Sequence, residues 1–86
     1  MSAVAVLRLF ASAREAAGRG RDEVPGDDVA AVLAAACARY GEQFAAVLSR
    51  SKVWLNGEPA EPGDTVRDTD EVAVLPPVSG GSVSTR

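Results

Sequence analysis

The segment Asp70-Glu71-Val72-Ala73-Val74-Leu75-Pro76-Pro77-Val78-Ser79-Gly80-Gly81 changes character twice along its length. From Glu71 to Leu75 it reads as a strand, with Val72 and Val74 on one face as packing against a core requires. Pro76-Pro77 ends that strand, because proline has no N–H to donate to a ladder. Ser79, Gly80 and Gly81 then offer too little side chain to pack. Everything beyond Leu75 is therefore expected to leave the folded body as an extended, mobile arm.

Working outward, Ala3 to Phe10 is rich in β-branched and large apolar residues, and reads as a first strand. Together the first and last strands are the most apolar, which places both at the centre of a sheet. Ala11 to Gly20 reads as a connecting loop with one helical turn, stopped by Gly18 and Gly20. Arg21 to Val24 reads as a short second strand closed by Pro25-Gly26. Asp27 or Asp28 then stands at an N-cap position, and Val29, Val32, Leu33, Ala36, Cys37 and Tyr40 recur at helical spacing. Gly41 supplies a residue suited to a left-handed helix end. Phe44, Val47 and Leu48 extend the apolar spacing for a short second helix or an irregular segment. Lys52 to Leu55 is a strand with Val53 and Leu55 on one face, and Asn56-Gly57 is the pair best suited to a tight hairpin turn. The order predicts an α+β fold with a mixed sheet of four to five strands covered by one main helix.

Bulk properties restrict the function. A chain of 86 residues is a single domain, too small for a deep active-site cavity of its own. With 47% hydrophobic and 24% charged residues it has the makings of a core. Its formal net charge of −3 gives no field to attract nucleic acid or an anionic membrane. Cys37 is the only cysteine and there is no histidine, which removes disulfides, thiolate zinc clusters and the Ser/His and Cys/His nucleophile arrangements. These absences argue against an enzyme, and the reducing cytoplasm is the expected location. No apolar run approaches membrane-spanning length.

These segments carry a resemblance. Leu9-Phe10-Ala11-Ser12-Ala13-Arg14-Glu15 with Gly18, Asn56-Gly57, and above all residues 70–81 resemble the MoaD/ThiS family of ubiquitin-like sulfur carriers, and within it the molybdopterin-synthase small subunits. The resemblance spans residues 3–81 and implies a β-grasp domain over residues 1–75, with 76–81 as an insertion arm made of Pro76, Pro77, Val78, Ser79, Gly80 and Gly81. It also implies that Gly81 is adenylated by an E1-like adenylyltransferase using ATP. The glycine then becomes a thiocarboxylate and donates sulfur to a molybdopterin synthase large subunit in molybdenum cofactor biosynthesis. The chain itself is expected to bind no cofactor. In the family's pattern Phe10, Leu75 and Val78 form an apolar patch at the root of the arm that docks onto the E1-like enzyme and the synthase large subunit.

One departure from that pattern is decisive. Family members commonly end at Gly-Gly, whereas Ser82-Val83-Ser84-Thr85-Arg86 follows here. A Gly81 carboxyl held in a peptide bond to Ser82 cannot attack ATP, so carrier function requires a protease to cut between Gly81 and Ser82. Residues 82–86 are read as a propeptide; the alternatives are that they are foreign to the chain or that this copy carries no sulfur. Carriers for thiamine, cysteine or a secondary metabolite, and a protein modifier, remain open as other functions of the same ending.

Other residues have competing readings. Cys37 falls in register with the helix's apolar face and is expected to pack there. Arg14 either meets a partner's acidic surface or, equally, pairs with a nearby carboxylate or caps a loop carbonyl. Trp54 is out of phase with Val53 and Leu55, which turns it away from the helix and makes it an interface candidate. The acidic residues Asp64, Asp68, Asp70 and Glu71 lack the spacing of a calcium loop. They are expected to form a solvated turn face without a metal.

Overall fold

The computed structural model describes residues 3–77. The chain runs through β1 (Val4–Leu9), α1 (Ala11–Ala17), β2 (Arg21–Pro25), α2 (Val29–Tyr40), α3 (Glu42–Leu48), β3 (Lys52–Leu55), β4 (Glu58–Pro59) and β5 (Glu71–Leu75). The sheet order is β2-β1-β5-β3-β4. β1 and β5 are parallel, with Val6 opposite Glu71 and Leu9 opposite Val74, and every other pair is antiparallel. This is the β-grasp architecture. The two most apolar strands are central, as their composition requires.

Alternation sets the two faces of the sheet. Ala5, Leu7, Leu9, Val24, Val72 and Val74 point to the helices and are buried, and Val32 and Ala36 of α2 meet them from above. The outer face carries Arg8, Lys52, Trp54, Ala73 and Leu75, opposed across β1, β5 and β3 by the register. That face has no covering layer among the described residues.

Asp28 supplies the N-cap of α2, its carboxylate accepting from the Ala31 amide. Asp27 instead accepts from the Ala3 amide. Gly41 takes φ 99°, the positive angle expected, but its ψ of −172° is not that of a left-handed helix end. It ends α2 and starts α3 in the same residue, which needs an extended link between the two helices.

Two segments are more regular than composition predicts. Ala11–Ala17 is a full helix, where a single turn within a loop was the expectation. Ala13 has no exposed surface, and tertiary packing against β1, β5 and α3 overrides the weak local signal. Gly18, at φ 80°, closes α1 by donating its amide to the Arg14 carbonyl. α3 likewise is a defined helix, because Phe44 is fully buried and meets Tyr40 edge-to-face at 5.1 Å. The expected hairpin forms at Asn56-Gly57, where φ of 52° and 85° fits a two-residue turn. The Asn56 side chain also accepts from the Glu71 amide, tying that turn to the start of β5.

Candidate functional site

β5 delivers the chain to the end of the sheet between two neighbours. β1 lies beside it on one side and β3 on the other, so the direction of exit at Leu75 is fixed by two ladders. Leu75 is exposed, Pro76 is buried and Pro77 is exposed. The packed body thus reaches one residue past the expected boundary at residue 75. Pro76 belongs to the body, its ring seated beside Trp54 and Leu75 in a cleft of about 330 Å³ that Arg50 and Lys52 also line. Val78, Ser79, Gly80, Gly81 and Ser82 lie outside the described residues.

Phe10 is brought to the same end by β1 and aimed outward by the sharp turn that follows it, where Ala11 takes φ 52°. It is 41% exposed, and Leu75 is 37% exposed; only Val4 joins them as an exposed large hydrophobic residue among those described. Trp54 is half-buried on the outer face, opposite Ala73 on one side and Pro59 on the other. The structure therefore brings Trp54, Leu75, Pro76 and Pro77 into one cleft, while Phe10 stands in a second. That second cleft, of about 460 Å³, is lined by Arg8, Leu9, Phe10, Arg14, Gly20 and Arg21.

Of the charges around this end, Arg14 alone was singled out in the sequence. The Arg8 guanidinium sits 3.1 Å from the Glu71 carboxylate and 5.9 Å from the centre of the Phe10 ring, a cation–π distance. Arg14 lies over Gly20, where an added Cβ would come within 3.4 Å of its Nε. It forms no ion pair among the described residues, so local pairing does not account for it. Arg50 and Lys52 are exposed and equally without a carboxylate partner there. Their placement at the same end of the sheet as the Arg14 cleft depends on strand pairing, which periodicity does not reveal.

Cys37 is half-buried on α2, and burial pushes its thiol pKa up. That holds it in the unreactive form. The acidic residues expected to form a solvated face have a more definite task. Asp68 accepts from the Val4 amide, Asp64 from Glu61 and Asp70 from Arg67, closing the loops at the opposite end of the sheet. No group of three potential metal ligands occurs among the described residues. No helix there is long and apolar enough to cross a membrane. A further cleft, about 510 Å³ between α2 and the β3–β4 edge, is lined mainly by apolar residues such as Val29, Leu33 and Pro62, and touches the arm's root only through Trp54 and Lys52.

Comparison with known proteins bears on this site. A model of the ThiS family matches residues 7–81. No curated protein sequence matches the chain. Among solved structures, small archaeal modifier protein 1 from Haloferax volcanii superimposes with a TM-score of 0.81 at 31% identity, over 91% of this chain and 99% of that one. The protein of the same name from Methanosarcina acetivorans gives 0.83 at 26% identity, over 94% and 99%. A proposed molybdopterin converting factor subunit 1 from Pyrococcus furiosus gives 0.78 at 24% identity, over 90% and 100%, a likeness of fold.

Proposed function

The chain belongs to the ThiS family of ubiquitin-like sulfur carriers, and from that premise we propose that Gly81, once freed from Ser82, is the group-carrying residue. The observation that carries this reading is the extent of the family match, which runs through Gly80-Gly81 and stops at Gly81. Water cleaves the Gly81–Ser82 bond in a protease. The freed carboxylate attacks the α-phosphorus of ATP in an E1-like adenylyltransferase, and pyrophosphate leaves. Sulfur at the hydrosulfide level then displaces AMP to give the thiocarboxylate. The chain supplies reach and orientation only: β5 sets the exit direction, Pro76 and Pro77 stiffen the root, and glycines keep the cross-section slim. Phe10, Trp54 and Leu75 dock the partner enzymes. The destination is molybdopterin, with a synthase large subunit as acceptor; the Pyrococcus furiosus neighbour accords with it in fold.

A second reading is favoured by the name of the two archaeal neighbours, which describes them as modifiers. In it the same activated glycine ends in an isopeptide bond to a lysine of another protein. Intact mass of the protein purified from its native host separates the two. A species ending at Gly81, heavier by the exchange of oxygen for sulfur, is expected for the carrier. Tryptic peptides in which residues 68–81 are attached to lysines of other proteins support the modifier. A population in which Gly81 is always joined to Ser82 overturns both.

A further inference from the structure

Five of the chain's nine lysines and arginines line the two clefts flanking the arm's root, and no carboxylate lines either cleft. This occurs in a protein whose net charge is negative. Ion pairing accounts for only two of the five, Arg8 with Glu71 at 3.1 Å and Arg21 with Glu23 at 3.8 Å. Arg8 and Arg21 are directly opposed across β1 and β2, an arrangement that costs free energy because like charges face each other. Arg14, Arg50 and Lys52 gain no ion pair among the described residues. Meanwhile Asp64, Asp68 and Asp70 are spent as loop acceptors at the far end of the sheet. The molecule is therefore polarised along its central strands, positive where the chain exits.

We propose that this end docks a protein surface in which acidic residues ring an apolar socket, with Phe10, Leu75 and Trp54 filling the socket and Arg14, Arg50 and Lys52 meeting the acidic rim. The proposal rests on the reading that the arm's root is the docking end, and it adds the partner's chemistry. A protein fits better than a nucleic acid or a membrane, because exposed Phe10 and Leu75 line the two basic clefts and the rest of the chain is acidic. Complementary charge of this kind raises the rate of encounter and fixes the orientation of approach. The arm's exit then faces the partner before any close contact forms.

The direct test is an NMR titration of the full chain with a synthetic peptide of aspartates and glutamates around a Leu-Phe centre. A lysine counterpart of the peptide and a single-stranded oligonucleotide run beside it. Shifts are expected with the acidic peptide alone, at the amides of Arg14, Arg50 and Lys52 and the Trp54 indole. The triple variant Arg14→Glu, Arg50→Glu, Lys52→Glu should lose affinity by about tenfold or more. Arg67→Glu, at the opposite end, should leave it unchanged. Shifts scattered over the molecule, equal binding of the oligonucleotide, or an effect of Arg67→Glu as large as the triple variant's overturns the proposal. A second arm uses a form ending at Gly81 in ATP–pyrophosphate exchange with an E1-like enzyme from the same source. There the triple variant should raise KM about tenfold at constant kcat, with the difference shrinking as salt rises. An unchanged KM overturns the proposal. If the native ending is not activated at all, the carrier reading fails, and the titration still decides the docking surface.

Discussion

Asp22 shows how one side chain joins two elements. Its carboxylate accepts from the Tyr40 hydroxyl and from Arg39 at 2.8 Å, both on the last turn of α2, while Asp22 itself sits on β2. The Tyr40 hydrogen bond, with help from Arg39 and against the effect of burial, lowers the Asp22 pKa from 3.8 to about 2. Burial, and then the bond to Asp22, pushes Tyr40 up to about 12 from 10.0. The signs differ at the two ends of the pH scale. Asp22 contributes stability that is complete above its unfolded value and lost as pH falls from about 4 towards 2. Tyr40 contributes stability that is complete below pH 10 and lost as pH rises towards 12. Tyr40→Phe should flatten the urea midpoint in both windows, and lower it at neutral pH by the equivalent of about 1–3 kcal/mol, the worth of a hydrogen bond to a charged group. A variant that keeps the wild-type pH profile contradicts this assignment.

At the scale of elements, the joint between β2 and α2 holds the tightest glycine among the described residues. A Cβ on Gly26 would stand 2.6 Å from the Val32 amide nitrogen and 2.8 Å from its Cγ2. Both belong to a buried residue in the first turns of α2, and neither can yield without moving the helix off the sheet. Gly26→Ala should cost about 1–3 kcal/mol, and lower Tm by roughly 5–20 °C for a domain of this size. Thermal unfolding followed by circular dichroism checks it. The need for glycine there was hidden in the sequence, where Pro25-Gly26 signals only a turn. The strands and the Asn56-Gly57 hairpin were legible, because alternation and positive φ are local properties. α1 and α3 were not. Their helicity comes from the burial of Ala13 and Phe44 against partners distant in the chain, and local propensity is silent on that. The arm's root was legible in Leu75 and Pro76-Pro77. Of the cations only Arg14 was singled out; those at 8, 21, 50 and 52 were not, since the pairing of β2, β1, β5 and β3 assembles them.

The whole molecule is organised around two strands from opposite ends of the chain, running side by side in the same direction. Val4 begins β1 at one end of the sheet and Leu75 finishes β5 at the other, so tension between the N-terminus and the exit at Pro77 acts along both strands at once. The β1–β5 hydrogen bonds must then slide and break together, with the β3–β5 ladder resisting on the second side. Tension applied between Lys52 and Pro77 is different. Lys52 and Leu75 are direct partners in an antiparallel pair, and the strands would peel apart one bond after another. Single-molecule pulling with attachment at residues 3 and 77 should require a several-fold higher force than attachment at 52 and 77, and equal forces would contradict the geometry. A partner that tugs on the arm to withdraw it, or a machine that threads it to unravel the domain, therefore pulls on the sheet's strongest grip.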